Sequence, residues 1–183
     1  MEIVWALVII VGFVAVWLIL TYNGLVTGRN RVDEAWSDIE VQMKRRYDLI
    51  PNIVNAVKGY AGHEDSVFSK VTQARAQAMG AGTMKEHAQA ENMLSETLKS
   101  LFAVSENYPA LQASQNFLQL QHELTDAEDK IQASRRFFNT NTRDFNIKLQ
   151  VFPTNLIAGT FGFVKREFFD APDVVLETPA VKF

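Results

Sequence analysis

The apolar run at the N-terminus constrains this chain more than any other feature of its sequence. Residues 3–20, IVWALVIIVGFVAVWLIL, are 18 consecutive residues without a charged or strongly polar side chain. A helix of that length crosses a hydrocarbon core of about 30 Å. Trp5 and Tyr22 are spaced to sit at the two membrane interfaces, with Trp17 as an alternative for the inner one. The run predicts a transmembrane helix that anchors the residues after it.

A cleaved signal peptide is the alternative interpretation of this run. Such a peptide has a basic start, a shorter apolar core and small residues at a cleavage site. In this chain Glu2 is the only charged side chain before the run, and no A-x-A motif follows it. The sequence therefore favours an anchor that stays attached.

The basic residues near the run predict its orientation. No Lys or Arg precedes the run, whereas Arg29 and Arg31 follow it closely. Because Lys and Arg collect on the cytoplasmic side of a span, we expect the N-terminus outside and the residues after 28 in the cytoplasm. Gly24 and Gly28 form a G-x-x-x-G pattern, which favours either close approach of two helices or a helix break.

Beyond the anchor, apolar residues recur at steps of three and four, which is typical of one face of an α-helix. The first such stripe predicts a helix from about 30 to 60, with a kink or restart near Pro51 and a stop at Gly59 and Gly62. Its members are Val32, Trp36, Ile39, Met43, Tyr47, Ile50, Val54, Val57 and Ala61.

Three further helices are predicted after this one. Two shorter helices span about 64–79 and 84–106, the second with Thr83 and Glu86 as a capping box. Pro109 suits the first turn of a long helix over 110–149, on which we expect Ser134 and Asn141 to be buried polar groups. Its 3.5-residue apolar period is typical of coiled-coil-like packing.

No run is typical of a strand before residue 172. The sequence therefore predicts an all-α protein, in which a single N-terminal transmembrane helix precedes a long antiparallel bundle of three or four helices.

The C-terminal part is unusually aromatic for a solvated chain end, because residues 152–183 hold six of the 13 Phe. Ile157, Phe161, Val164 and Phe168 form a short amphipathic stripe, and the residues after Pro172 favour an extended segment. The part either docks onto its own bundle or contacts a neighbouring subunit or a bilayer surface. The candidate subunit contacts are Phe161, Phe163, Phe168 and Phe169. We thus expect an anchor over 1–28, a bundle over 29–152 and this Phe-rich segment over 153–183.

Composition and motifs exclude several classes of function. Cys is absent, which excludes disulfides, thiolate metal sites, a thiol nucleophile and a lipoprotein anchor. The net charge of −3, with basic and acidic residues intermixed, leaves no basic domain for nucleic acid. His63 and Glu64 begin the zinc motif H-E-x-x-H, but Val67 stands where its second His belongs. We expect no catalytic residue, no metal and no cofactor.

Two polar clusters lie beside the apolar stripes: Lys44 to Arg46 with Asp48, and Arg135 and Arg136 with Asn139. They predict either ion pairs between helices or a surface for anionic lipid or a partner.

Three stretches resemble the LemA family of bacterial membrane-anchored helical proteins: residues 22–64 (YNGLVTGRNRVDEAW through GYAGHE), SENYPALQA at 105–113, and Phe117 through Phe152-Pro153. The resemblance implies one anchor in the bacterial inner membrane, a cytoplasmic antiparallel bundle and no established catalytic residue. Phe138 departs from the tyrosine that the family usually has before Asn. Positions that match the family pattern, with packing or interaction as the implied role, are Arg29, Asn30, Trp36, Arg45, Arg46, Asp48, Pro51, Asn52, Tyr60, His63, Glu64, Tyr108, Pro109, Arg135, Arg136 and Asn139.

These features predict a non-enzymatic, single-pass scaffold that self-assembles into homo-oligomers and organises or shapes the bilayer. The alternative is an adaptor for a membrane protease or another envelope protein, because the resemblance implies relatives encoded beside membrane metalloproteases. An enzyme is the third class, which the absence of a catalytic motif disfavours.

Overall fold

The computed structural model describes residues 1–169, and all regular secondary structure in that range is helical. The expected all-α fold is confirmed. The extended segment expected after Pro172 lies outside the described residues. The helices are α1 (Glu2–Lys58), α2 (Asp65–Gly80), α3 (Met84–Ser105), α4 (Pro109–Gln112), α5 (Gln115–Gln150) and α6 (Thr154–Thr160).

The first helix is longer than the sequence predicted. The anchor and the helix expected from about 30 are one uninterrupted α1, so Gly24 and Gly28 do not break it. The helix also continues through Pro51, so the restart that was one of two expectations there is wrong, and a kink stays a prediction. Proline costs a helix interior about 3 kcal/mol. Ile50 and Ile53 on either side are fully buried, and this packing holds the helix together across the proline.

The long helix expected over 110–149 is divided near its start. Pro109 opens the short α4 in its first turn, as predicted, and the side chain of Leu111 is fully buried. The helical hydrogen bonds resume only when the Leu118 N–H donates to the carbonyl of Ser114. Serine favours such helix boundaries because its side chain competes with the backbone for hydrogen bonds.

The start of α3 carries the predicted capping box. The Glu86 N–H donates to the Thr83 hydroxyl at 3.2 Å, and the Glu86 carboxylate accepts from the N–H groups of Thr83 and Gly82 at 3.0 and 2.9 Å. The backbone N–H of Gly82, and then that of Thr83, lower the pKa of Glu86. The reciprocal bonds fix where α3 begins.

The stripe expected over residues 157–168 is wrong beyond Thr160, where α6 ends. Gly162 takes a φ of 71°, which only glycine adopts without strain. The Phe163 N–H reaches back to the Ala158 carbonyl at 2.9 Å, and the Gly162 N–H reaches that of Gly159 at 3.3 Å. This Schellman pattern ends the helix and turns the chain away from its axis.

The described residues form two compact units, and α1 and α5 contribute to both. Unit 1 comprises Met1–Asp38 and Arg136–Glu167, and unit 2 comprises Ile39–Arg135 with Phe168 and Phe169. Unit 1 takes residues from each of the three ranges expected from the sequence, and that three-part division stays a prediction.

In unit 1, α1 and α5 pack in antiparallel directions. The rings of Trp36 and Phe138 meet edge to face at a centroid distance of 5.7 Å. Further along, Gly28 lies beneath the ring of Phe145, where a Cβ atom would stand 3.0 Å from Cδ2. Of the two glycines that suggested close helix approach, Gly28 therefore allows α1 and α5 to pack closely. A Cβ atom at Gly24 would meet nothing within 4 Å.

Unit 2 is a bundle of four helical segments, from α1, α2, α3 and α5. Lys58 lies over the ring of Phe68, and the backbone of Tyr47 accepts a bond from Arg75, so α1 and α2 are antiparallel. Contacts between α3 and α5, at Phe102 with Phe117 and at Glu91 with Arg135, run antiparallel as well. The apolar stripes face inward, with buried residues that include Ile39, Met43, Ile50, Val57, Val71, Ala74, Ala78, Leu94, Leu98, Leu101, Leu124, Ala127 and Ile131.

Two polar residues on the α5 stripe are less buried than expected. Ser134 and Asn141 are only half-buried. The buried polar residues of this helix are instead Thr142 and Asn146. Each of these two follows a stripe position by one residue, and the stripe residue Phe145 is buried as well, so the inner face of α5 is wider here than the stripe.

Candidate functional site

The polar centre of unit 2 is a cluster of charged and hydroxyl side chains from three helices. We call it the Glu91 cluster; its members are Arg46, Tyr47, Glu91, Ser95, Glu128 and Arg135.

The helical period places the central members of the cluster inside the bundle. Arg46 follows buried Met43 by three residues, and Glu91 precedes buried Leu94 by three. Each therefore lies on the apolar face of its helix rather than on the solvated face. Both side chains are fully buried, so their opposite charges meet away from water.

Arg46 is the donor that links the three helices. Its Nη2 donates to the Glu91 carboxylate of α3. Its Nη1 donates to Glu128 Oε1 of α5 at 2.6 Å and to the Ser95 hydroxyl at 3.2 Å. The buried Nε atom has no hydrogen-bond partner. One guanidinium thus joins α1 to α3 and α5.

The Glu91 carboxylate is surrounded by donors. Besides Arg46, it accepts a hydrogen bond from the Tyr47 hydroxyl, and Arg135 Nη2 lies 3.8 Å from Oε2. Arg135 in turn stacks over the ring of Phe169, with its Cζ 4.6 Å from the centroid. Two carboxylates thus face two guanidinium groups, and the cluster is neutral as a whole.

Burial raises the pKa of Tyr47, and the hydrogen bond to Glu91 raises it further. The phenol therefore stays protonated and acts as a fixed donor, not as an acid. In addition, Arg75 Nε of α2 donates to the backbone carbonyl of Tyr47 at 2.7 Å. The fourth helix is in this way tied to the same point of α1.

The chemistry of this cluster is that of a buried, internally compensated ion-pair network. Such networks contribute little net stability over apolar packing, but they disfavour other registers, since a shifted helix would leave charges buried alone. The carboxylates and guanidinium groups neutralise one another. The arrangement therefore fits a device for fixing helix register better than a catalytic centre.

A second, exposed ion-pair group lies next to the cluster. Arg45 Nη1 donates to Asp126 Oδ2 at 2.8 Å, and Lys130 donates to the same oxygen at 2.9 Å. The hydrogen bond from Lys130, followed by that from Arg45, lowers the pKa of Asp126. Arg45 and Arg46 thus both form ion pairs between helices, which is the first of the two interpretations of their sequence cluster.

The aromatic C-terminal segment docks in part onto unit 1. Asn146 donates from its side chain to the Arg166 carbonyl at 2.8 Å and accepts from the Arg166 N–H at 2.9 Å. Arg166 also pairs with Asp33 at 2.8 Å. Of the two interpretations of this segment, docking onto the chain's own helices therefore holds at Arg166, which contacts both α5 and α1.

The four candidate subunit contacts have different surroundings. The rings of Phe161 and Phe163 meet the Tyr22 ring at centroid distances of 5.1 and 5.8 Å. Phe168 is 41% exposed, whereas Phe169 is fully buried. Since Phe169 lies in the core of unit 2, its ring contributes nothing to an outer surface.

The remaining positions that match the family pattern do not form one site. Trp36, Glu64, Tyr108 and Asn139 are half-buried, and Trp36 packs on Phe138. The exposed ones are Arg29, Asn30, Asp48, Pro51, Asn52, Tyr60, His63, Pro109 and Arg136. Roles in packing or interaction stay a prediction for them. Among the described residues, no group of three or more His, Asp or Glu is placed to hold a metal ion.

The anchor residues lie on an exposed apolar helix. By length and composition the N-terminal part of α1 is able to cross a membrane: its mean hydropathy is 3.0, and none of its most apolar window is buried. Trp5 is 67% exposed and Tyr22 40%, and Trp17 is half-buried.

The members of the cluster that were not predicted as site residues from the sequence are Tyr47, Glu91, Ser95 and Glu128. A signal was present for Glu91, because it interrupts the apolar stripe of α3 at a position where Leu or Ala would be expected. A charge on an apolar stripe predicts a buried partner of opposite sign.

Together these features define a class: a helical-bundle protein with one candidate membrane span and a buried, neutral ion-pair network. The particular family follows from comparison of the sequence, since the model of the LemA family matches residues 35–183. The chain therefore belongs to the LemA family, as its resemblance to that family indicated.

Curated relatives support this assignment. The magnetosome protein MamQ of Magnetospirillum gryphiswaldense is 26% identical over 90% of this chain and 71% of its own length. MamQ 2 of Paramagnetospirillum magneticum is 27% identical over 93% and 73%. Protein LemA of Metamycoplasma hominis is 28% identical over 83% and 70%. None of these names denotes a reaction. Together with the apolar helix, the relatives indicate membrane association.

Proposed function

We propose that this protein is a non-catalytic, membrane-anchored scaffold that self-assembles at the bacterial inner membrane and organises or shapes the bilayer. The observation that carries the proposal is the continuity of α1. The same helix is exposed and apolar over residues 3–16 and buried against its own chain at Leu25 and Val32. Within unit 1, no flexible linker separates the apolar residues from the part of α1 that packs on its own chain.

That continuity gives self-assembly a physical route to the bilayer. Tethering to a membrane raises the effective concentration of subunits, so that weak contacts between bundles suffice for assembly. Because the anchor and the packed residues Leu25 and Val32 share one helix, contacts between neighbouring copies through unit 1 would impose a spacing and tilt on their anchors. The names of the MamQ relatives, which place those proteins in the magnetosome, support a role in a cellular structure.

The size of the particle tests the proposal. We would extract the full-length chain in mild detergent, reconstitute it in lipid nanodiscs and measure its mass by mass photometry and electron microscopy over a range of concentrations. We expect particles of several subunits. A single subunit at every concentration would contradict self-assembly, and a stoichiometric complex with a membrane protease or another envelope protein would favour the adaptor.

Topology is tested separately, because the chain has no Cys and single cysteines are therefore unambiguous labels. Glu2→Cys and Ser66→Cys both lie at exposed positions. In intact cells stripped of the outer barrier, we expect an impermeant maleimide to label position 2 at once and position 66 only after permeabilisation. The reverse pattern would overturn the proposed orientation, and release of the chain by carbonate would overturn the anchor.

A further inference from the structure

The antiparallel pairing in unit 1 shows which residues lie level with the end of the apolar run. Trp36 contacts Phe138, and Gly28 contacts Phe145. Moving eight residues toward the start of α1 therefore moves seven residues toward the end of α5. Continuing the same register, Tyr22, two residues after the run, lies level with about residue 150, where α5 ends. The ring contact of Phe161 with Tyr22 at 5.1 Å places the end of α6 there too.

Large apolar side chains are exposed at this level. Phe152 is 78% exposed, Val164 70% and Leu156 63%. Side chains of this size rarely face water together unless they contact something else. We call this the α6 surface; its members are Tyr22, Val151, Phe152, Leu156, Phe161 and Val164.

The two chain segments that carry the α6 surface are basic. No Asp or Glu occurs between Ile3 and Val32, or between Phe145 and Arg166. The same ranges contain Arg29, Arg31, Lys148, Lys165 and Arg166, of which Arg166 is paired with Asp33. The Arg29 guanidinium lies 5.7 Å from the centroid of the Phe163 ring, beside this surface. A surface that is apolar in the middle and basic at its edge matches the interface of a bilayer that contains anionic lipid.

We propose that the α6 surface lies in the interfacial layer of the bilayer, with its apolar side chains among the upper acyl chains and Lys148 and Lys165 at anionic headgroups. The occupant is lipid, because Tyr22 closely follows the exposed apolar residues of α1 and the ring of Phe161 packs against Tyr22. The inference rests on the membrane anchor of the proposed function. It adds a second membrane contact, made by the segment that Asn146 fixes to α5.

Site-specific fluorescence in the full-length chain tests this contact. Phe152→Cys and Leu156→Cys would each be labelled with an environment-sensitive fluorophore and reconstituted into vesicles of phosphatidylcholine and phosphatidylglycerol. The matched control is Phe137→Cys, which is 55% exposed on the same unit but about 20 Å before the end of α5. We expect spin-labelled acyl chains to quench positions 152 and 156 several-fold more than position 137.

The charge part of the proposal has its own comparison. In vesicles of phosphatidylcholine alone, quenching at position 156 should fall, and Lys148→Gln with Lys165→Gln should reproduce that fall in the mixed vesicles. Equal quenching in both lipids would overturn the role of the headgroups.

Three further outcomes would overturn the inference. If the emission at positions 152 and 156 shifts with the ratio of protein to lipid but is not quenched by lipid, the occupant is a second copy of the chain. If the labelled protein floats with vesicles but positions 152 and 156 are quenched no more than 137, the anchor stands and the α6 contact fails. If the protein does not float, the anchor fails as well.

Discussion

Arg46 and Glu91 are each other's principal counter-charge, and neither side chain reaches water. Because removal of one partner takes the principal counter-charge from a buried group, we expect Arg46→Met and Glu91→Leu each to cost about 3–5 kcal/mol of unfolding free energy. The double variant should be destabilised by clearly less than the sum of the two. Urea unfolding of the full-length chain in detergent, followed by circular dichroism, measures all three.

The neighbouring arginine supplies the control for this cycle. Arg45 is 41% exposed in its side chain and pairs with the partly exposed Asp126. We expect Arg45→Met to cost less than about 1 kcal/mol, because exposed ion pairs contribute little. Strictly additive losses in the Arg46 and Glu91 pair would show that the two side chains are not coupled.

Tyr47 gives the cluster a dependence on high pH. An unfolded tyrosine has a pKa near 10, and burial with the Glu91 hydrogen bond raises the folded value above that. The unfolded chain therefore loses its proton first. The stabilising contribution is complete below about pH 10 and is lost as the pH rises from there toward the folded pKa.

Comparison with Tyr47→Phe isolates this effect from the other groups that titrate at high pH. The variant should be less stable at neutral pH by about 1–2 kcal/mol, because a buried Glu91 oxygen loses its donor. The difference between the two proteins should then shrink above pH 10. A difference that stays constant up to pH 11 would rule out Tyr47 as the titrating group.

The pairing of α1 with α5 depends on a missing side chain at Gly28. A methyl group there would stand 3.0 Å from Phe145, whereas at Gly24, one turn earlier, it would meet nothing within 4 Å. Both changes gain about 1 kcal/mol of helix propensity. Overpacking costs about 1–3 kcal/mol, so we expect Gly28→Ala to be less stable than Gly24→Ala by that amount in thermal unfolding.

A second substitution distinguishes overpacking from other causes. Phe145→Leu in the Gly28→Ala background shortens the side chain that the new methyl group meets, and should recover part of the loss. No recovery, or equal stabilities of the two alanine variants, would show that the helices adjust without strain.

Apolar spacing predicted these helices well, because burial of one face is what makes α2, α3 and α5 stable. The same spacing did not predict that α1 is continuous or that α4 and α5 are separate. A stripe predicts which face of a helix is buried, but it does not predict where the helix begins or ends. The apolar spacing would be the same across Pro51 in one continuous helix and in two. The start of α3 was predictable to the residue because Thr83 and Glu86 act locally.

The Glu91 cluster shows where prediction from sequence ends. Arg46 and Arg135 were recognisable as candidates, but their shared partner is 45 residues away from one and 44 from the other. Which carboxylate they meet depends on the packing of three helices. The burial of Phe169 is a second example. It depends on the chain contacting unit 2 again at Arg135, and no periodic pattern in the sequence predicts that contact.

The C-terminal part can be removed to separate folding from assembly in the whole molecule. Of the described helices only α6, with seven residues, lies beyond Phe152. We therefore expect deletion of residues 153–183 to change the far-ultraviolet circular dichroism little, while the particle mass in nanodiscs falls toward one subunit. Loss of most helicity would show instead that the helices depend on this part for their packing, through the buried side chains of Ile157 and Phe169.

The unbroken backbone of α1 has a consequence for rotation about its axis. Each residue turns a helix by about 100°, so the direction in which Ile3 to Leu20 point is locked to the direction in which Leu25 and Val32 point. One alanine inserted after Thr21 would swing the whole lipid-facing rod by about 100°, and seven would return it to within about 20°. If assembly uses a particular side of the rod, the first insertion should abolish large particles in micrographs and the second should restore them.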